Sequence, residues 1–171
     1  RPATTDSDVV LDIELTGQLK DHPVSVSGWM KNPGPTSENF FSMSVNNFPI
    51  NSELRNALEP KQQSIIDNLN LQGMANANMA FYRPPGLDNP TIPLFDVRVF
   101  DASMKFANFP YDIENLSGHL KFDGGTKHWE FLELKGQHGK GRLTAFGEFK
   151  GKTTPGTLDL TINARNAELD S

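Results

Sequence analysis

The stretch LSGHLKF at residues 116–122 has nearly the same order of residue types as LTGQLKD at residues 15–21. Both contain leucine, a small hydroxyl residue, glycine, a polar residue, leucine and lysine. Apolar and polar residues alternate around both stretches, which is typical of a β-strand with one apolar face and one hydrated face. Weaker versions of the motif occur at 71–77 (LQGMANA) and 134–140 (LKGQHGK). The chain is therefore predicted to contain several similar strands.

The same alternation runs through most of the 171-residue chain and predicts nine strands. Several of them contain ten or more residues, whereas strands of about 5–6 residues are usual. Short turn sequences such as Asp123-Gly124-Gly125 separate them. We therefore predict a mostly β fold: a long-stranded antiparallel meander that forms a curved, groove-like sheet or an open sandwich. A change of phase near Phe100 and Asp101 predicts a β-bulge.

One segment departs from this alternation and predicts a short helical insertion at about 51–69. Leu54 and Leu58 are four residues apart, and so are Ile65 and Leu69, which is helical spacing. Asn51 or Ser52 is suited to cap the first turn. Proline is tolerated only in the first turn of a helix, so Pro60 favours two short helices that meet near residues 59–60 over one kinked helix.

Glycine at the third place of the repeated motif predicts a structural role. A glycine inside a strand usually marks a bend, a bulge or a close approach of two backbones. We expect Gly17, Gly73 and Gly118 to occupy equivalent places in their strands, where they would curl the sheet along one line. The structural glycines predicted in this way are Gly17, Gly73, Gly118, Gly136 and Gly147.

Composition excludes several classes of function. The apolar fraction is 36%, below the usual ~45–50%, which suggests a sheet that is covered on one face only. The net charge is −5 with both signs interspersed, so no basic stripe is present and nucleic-acid binding is disfavoured. The sequence contains no cysteine, which excludes disulfides and thiolate metal sites.

The sequence shows no catalytic or metal-binding motif. Its four histidines are scattered and lack the spacing of a metal site. The glycine-rich stretch GQHGKG at 136–141 matches no phosphate-binding loop, so we interpret it as a hairpin loop. We therefore expect a non-enzymatic protein without a cofactor or a metal.

The apolar positions of the strands have two interpretations. In the first, they form an ordinary closed core. In the second, part of this face lines an open groove for an apolar ligand such as an acyl chain. For the second interpretation the candidate lipid-binding residues, expected side by side on one sheet face, are Val97, Val99, Leu120, Phe122, Leu143 and Ala145.

The stretch 109–149 resembles the repeat of the AsmA-like/TamB-like envelope proteins. The resemblance rests on a lead-in Phe109-Pro110-Tyr111, the motif Leu116-x-Gly118-x-Leu120, the turn Leu134-x-Gly136-x-x-Gly139 and the strand end Phe146-Gly147. It implies an extended, groove-like β-sheet whose apolar surface carries phospholipids. It also implies a periplasmic or cell-envelope location, a role in outer-membrane biogenesis and a tether to the inner membrane outside this sequence.

We expect residues 1–171 to form one β-rich module of a longer protein, because the sequence begins without methionine and ends in polar residues. Two imperfect repeats, about 1–70 and 71–171, are compatible with the motif spacing. Expected partners are a phospholipid or another acyl-chain ligand and neighbouring repeats of the same chain. The alternative functions are a structural or protein-interaction β-module without lipid binding, and a small-molecule or glycan-binding β-sandwich.

Overall fold

The computed structural model describes residues 8–19, 21–57, 60, 63, 67, 69–106, 109–151 and 156–166. All strands of this part of the chain belong to one nine-stranded antiparallel sheet, and they follow each other in sequence order from one edge to the other. The strands are β1 (Val10–Leu19), β2 (His22–Lys31), β3 (Glu38–Ile50), β4 (Gln72–Arg83), β5 (Ile92–Phe106), β6 (Phe109–Asp123), β7 (His128–His138), β8 (Gly141–Lys150) and β9 (Thr157–Arg165).

The predicted fold class is confirmed, in its groove-like form. The sheet is curved and open, and its two ends do not close into a barrel. Since all nine strands belong to one sheet within the described residues, the open-sandwich version of the prediction is wrong. Strands β3 and β4, which lie on either side of residue 70, pair along ten residue pairs. The proposed division into two repeats stays a prediction.

Strand pairing separates the residues into one apolar and one polar face. Residues directly opposite each other in an antiparallel pair project to the same face. Val97 is opposite both Ala77 of β4 and Leu120 of β6, whereas Asp96 is opposite Asn78 and Lys121. The same sorting holds at both ends of the sheet, because Leu15 is opposite Val26 and Ile162 is opposite Ala145. The alternation of apolar and polar residues, together with the register of the strand pairs, thus gives the sheet an apolar face.

The predicted helical insertion is present after β3. Helix α1 (Ser52–Ala57) is followed by further helical positions at residues 60, 63, 67 and 69. The Asn51 side chain caps α1, since its Oδ1 accepts hydrogen bonds from the amides of Glu53 (3.0 Å) and Leu54 (3.1 Å). The junction of two helices was predicted near residues 59–60; residue 59 lies outside the described residues, so the junction stays a prediction.

Within the described residues, four strands (β3, β5, β6 and β7) each contain a bulge with a residue of positive φ. A bulge adds one residue to a strand, bends it and increases its twist. The bulge predicted near Phe100 and Asp101 is confirmed, with φ of 47° at Asp101 and a register shift between Val99 and Ala102. The positive-φ residues at these bulges are Asn47 in β3, Asp101 in β5, Asn115 in β6 and Glu133 in β7. Gly73 of β4 also has positive φ and lies opposite the bulge of β5.

The hairpin between β7 and β8 is tighter than predicted. The stretch 136–141 was expected to form a loop, but β7 continues to His138 and β8 begins at Gly141. Only Gly139 and Lys140 form the turn, with φ of 54° at Gly139. A two-residue turn of this kind requires left-handed backbone, and the glycine supplies it at little steric cost.

Candidate apolar binding face

The six residues predicted to line a groove lie on the apolar face of the sheet. Val97 is opposite Leu120 across β5 and β6, and Phe122 is opposite Phe95 on the same pair. Leu143 and Ala145 lie on β8, which does not adjoin β6. Strand β7 lies between them and contributes Phe131 and Leu134, opposite Leu120 and Ala145 respectively. The candidate set was therefore incomplete, because it omitted the strand that joins its two halves.

The alternation of β7 explains why its apolar residues were absent from the predicted lipid-binding set. Phe131 and Leu134 are three residues apart, so a strict two-residue period places them on opposite faces. The bulge at Glu133, with φ of 53°, inserts one residue and returns both side chains to the apolar face. A phase change between Phe131 and Leu134, similar to the one recognised at Phe100 and Asp101, is the signal that could have revealed them.

Buried apolar residues concentrate on three strands of this face. The six hydrophobic residues that are buried lie on β3, β4 and β5: Val45, Ile50, Ala75, Ala77, Val99 and Ala102. Four of these residues (Ile50, Ala75, Val99 and Ala102) form one buried cluster, and Leu54 of α1 packs against this cluster. Val97 and Leu120 also contact the cluster from its margin. We call β3–β5 with α1 the covered region.

The rest of the apolar face is much more accessible. Leu143 and Ala145 on β8 are half-buried and do not belong to the buried cluster. On β9 the same face is exposed, with relative exposures of 58% for Leu158 and 61% for Ile162. Within the described residues no second sheet packs over this surface. We call β6–β9 the open region, and it presents apolar side chains to solvent as a continuous surface.

A row of aromatic rings crosses the apolar face near the hairpins that connect β4 to β5 and β6 to β7. The ring centroids of Phe95 and Phe122 are 5.6 Å apart, and those of Phe122 and Trp129 are 4.5 Å apart. Phe81 extends the row, with its ring edge toward Phe95 at 6.2 Å. Such contacts stabilise aromatic pairs beyond the area they bury. Phe122 was predicted to be part of the face, whereas its partners in this row were not.

The predicted structural glycines differ in their surroundings. A Cβ at Gly73 would lie 2.5 Å from the Cα of Ala102, and one at Gly118 would lie 2.4 Å from Cδ2 of Leu134. Both residues lie next to register shifts. A Cβ at Gly147 would meet the backbone oxygen of Asp159 at 2.1 Å, and one at Gly136 would meet Cγ2 of Ile113 at 2.4 Å.

Gly17 lacks the environment that was expected for it. Strands β1 and β2 pair without a register shift, and a Cβ at Gly17 would have nothing within 4 Å. Gly17 therefore does not occupy the same kind of place as Gly73 and Gly118. The motif repeats in the sequence, but Gly17 lacks the close approach that is present at Gly73 and Gly118, whose strands β4 and β6 have bulged neighbours.

The opposite face of the sheet carries cross-strand polar pairs. His119 Nε2 lies 2.8 Å from Oδ1 of Asp96, and Ser25 and Ser44 share a hydrogen bond of 2.8 Å. Lys150 donates a hydrogen bond to Glu148, and His128 lies 2.8 Å from the same carboxylate. The hydrogen bond from Lys150, followed by that from His128, holds the pKa of Glu148 below its ordinary value. This face is thus adapted to water, in contrast to the apolar face.

Other kinds of site are not found among the described residues. No group of three or more histidine, cysteine, aspartate or glutamate side chains in that part of the chain could hold a metal ion. No helix there is long and apolar enough to cross a membrane. Comparisons with protein-family models, with curated proteins and with solved structures give no match. The geometry of the sheet is therefore the main evidence on function.

Proposed function

We propose that this chain is a non-enzymatic groove segment whose apolar face binds the acyl chains of a phospholipid or a similar ligand. The observation that carries the proposal is the open region of the sheet, where apolar side chains on β6–β9 face solvent without a covering layer. Soluble proteins rarely expose large contiguous apolar surfaces unless these bind a ligand, a partner or a membrane.

The dimensions of the face suit an extended acyl chain. Neighbouring strands are about 4.8 Å apart, so the four strands of the open region, β6–β9, span roughly 14 Å across the sheet. The hydrocarbon core of a bilayer is about 30 Å thick, so one leaflet contributes acyl chains about 15 Å long. A chain that lies across the strands of the open region would therefore find apolar contacts along nearly its full length. Each buried CH₂ group contributes roughly 0.8 kcal/mol.

The cellular role that fits this proposal is phospholipid transport or outer-membrane biogenesis in the cell envelope. The support comes from the resemblance of residues 109–149 to the AsmA-like/TamB-like repeat together with the open, curved sheet. In such an arrangement the chain lies in the periplasm and a tether elsewhere in the protein holds it to the inner membrane. Neighbouring repeats of the same protein would extend the groove at the β1 edge.

The proposal is tested by the binding of a fluorescent fatty-acid probe to the purified chain, with displacement of the probe by a phospholipid. Leu143→Glu places a carboxylate on the open part of the apolar face and is expected to weaken binding about tenfold or more, because a tail in contact with it would desolvate the charge. Thr144→Glu is the matched control, since Thr144 is the next residue and projects to the polar face.

Equal affinities for the wild-type chain and both variants would contradict the proposal, as would the absence of saturable binding by the wild-type chain. Native mass spectrometry of the chain purified from a lipid-containing host provides a second measurement. It should detect a co-purified lipid in the wild-type protein and in Thr144→Glu, and less or none in Leu143→Glu.

A protein-interaction module is the second candidate function. The observation that favours it is the pair of outer strands, β1 and β9, each of which has a paired neighbour on one side only within the described residues. A free strand edge is a template for β-augmentation, in which another strand adds to the sheet through main-chain hydrogen bonds. The two functions can be distinguished with Leu143→Glu. If this variant loses lipid binding but fully retains partner binding, partner binding is independent of the apolar face.

A further inference from the structure

Within the described residues, the outer edge of β9 has no neighbouring strand and lacks several of the features that usually protect a free strand. Proteins block such edges with short strands, prolines, inward-pointing charges or bulges. Strand β9 (Thr157–Arg165) has nine residues, pairs with β8 without a register shift and contains no proline. All nine side chains are exposed, and those on the apolar face include Leu160 and Ile162 at relative exposures of 39% and 61%.

The sequence of β9 is complementary to itself in antiparallel orientation. If two copies pair about a two-fold axis at Thr161, Leu160 lies opposite Ile162 and Leu158 lies opposite Ala164 on the apolar face. On the polar face Asp159 lies opposite Asn163, and Thr157 lies opposite Arg165. Diagonal neighbours in such a ladder are about 7–8 Å apart, which is within reach of a long side chain. Arg165 of each copy can therefore pair with Asp159 of the other.

The charges distinguish the β9 edge from the β1 edge. Each β9 strand carries one acidic and one basic residue, Asp159 and Arg165, so the pair of strands is neutral. Strand β1 carries Asp12 and Glu14 and no basic residue, so its self-pairing would bring four carboxylates together on the polar face. Like charges near each other across strands are destabilising.

We propose that two copies of this chain associate through antiparallel pairing of their β9 strands, centred on Thr161. The two-fold axis is perpendicular to the sheet, so both apolar faces lie on the same side. The product is one continuous sheet of eighteen strands, twice the nine of a single chain, with an uninterrupted apolar face. The contact is isologous and closed, which limits the assembly to a dimer. The pairing needs no ligand and does not depend on the proposed lipid binding.

The chain lacks cysteine, so a single introduced thiol reports the pairing. In Thr161→Cys the two thiols of a dimer would be carried by directly opposed residues, whose Cα atoms lie about 4.5–5.5 Å apart. This separation falls within the disulfide range of about 4.4–6.8 Å, so oxidation should give a cross-linked dimer about tenfold faster than in a control without opposed thiols. Thr16→Cys on the exposed polar face of β1 is that control.

The register is tested by mixing two further single variants, Asp159→Cys and Asn163→Cys. The mixture should cross-link to a heterodimer, whereas each variant alone should cross-link slowly. Sedimentation velocity of the wild-type chain over a concentration series should show a monomer–dimer equilibrium in the absence of lipid. A wild-type chain that stays monomeric, or equal cross-linking of Thr161→Cys and Thr16→Cys, would overturn the proposal. In a mixture of Thr16→Cys and Thr161→Cys, a preferred cross-link between the two variants would contradict the β9–β9 dimer. It would indicate instead a head-to-tail contact of β1 with β9.

Discussion

The covered region and the open region of the sheet have the same alternating sequence pattern but different burial. In both, apolar and polar residues alternate and paired strands keep each kind on one face. The six buried hydrophobic residues all lie in β3–β5, where Leu54 of α1 packs against the buried cluster, whereas the apolar residues of β9 are exposed. The alternation thus determines which face a side chain occupies. The presence of a covering element determines whether that side chain becomes buried.

The apolar strand positions had two interpretations, a closed core and an open groove. The difference in burial assigns these interpretations to different parts of the apolar face. The closed-core interpretation describes Val99, which is 8% exposed within the buried cluster. The open-groove interpretation describes the accessibility of Leu143 and Ala145 on β8. Leu120 lies at the margin, since it is half-buried and contacts the cluster. A charge at Leu120 would therefore perturb both regions, so a test of the comparison needs one substitution in each.

The largest expected effect is the contrast between Val99→Glu and Leu143→Glu. At Val99 a carboxylate would be buried among apolar side chains without a partner, and we expect a loss of at least about 3 kcal/mol in the free energy of unfolding. At Leu143 the carboxylate can reach water, so we expect a folded protein with a loss below about 1.5 kcal/mol. Urea denaturation followed by circular dichroism measures both values.

Equal destabilisation by the two glutamates would show that β8 is as well covered as β5, which would remove the basis of the comparison. The isosteric pair Val99→Thr and Leu143→Asn provides a milder version of the same test. It is useful if Val99→Glu does not fold at all. In that version the larger loss should again occur at Val99, because its new hydroxyl would be buried without water.

The second contrast concerns the repeated glycine motif. Gly118→Val is expected to destabilise the fold by about 1–3 kcal/mol, because the added Cβ would lie 2.4 Å from Cδ2 of Leu134 and that side chain must move. Gly17→Val is the matched control in the same motif and should change stability by less than about 0.5 kcal/mol, since its Cβ meets nothing within 4 Å. Equal effects at Gly118 and Gly17 would restore the view that the motif has one structural role throughout.

Much of the fold was predictable from the sequence because its signals are local. Alternation identified nine strands, helical spacing identified the insertion, and the phase change at Phe100 and Asp101 identified a bulge. The distribution of burial was not predictable, since the buried cluster joins residues of three strands, β3–β5, that are far apart in sequence. The place of Phe131 on the apolar face was missed because the bulge at Glu133 shifts the phase of β7. Local patterns cannot show which glycines meet a neighbouring strand.

The smallest expected effect concerns the bulge at Glu133 in β7, which belongs to the open region. Left-handed backbone costs a residue with a Cβ about 1–2 kcal/mol, and asparagine or aspartate tolerates it better than glutamate does. The bulges of β3, β5 and β6 use Asn47, Asp101 and Asn115, whereas β7 uses Glu133, at φ of 53°. Glu133→Gly should therefore stabilise the protein by about 0.5–1 kcal/mol, which is the relief of strain less the entropy that glycine loses on folding.

Lys135→Gly is the control for this substitution, because Lys135 is an exposed residue in the paired part of the same strand, opposite Ser117 and Thr144. There the glycine relieves no strain and should destabilise the fold by about 0.5–1 kcal/mol. Opposite signs in the thermal midpoints of the two variants would show that the bulge is a strained site, as its backbone indicates. A loss of stability in both would mean that the Glu133 side chain contributes more than its backbone costs. The strain would then not be what distinguishes the β7 bulge from those of β3, β5 and β6.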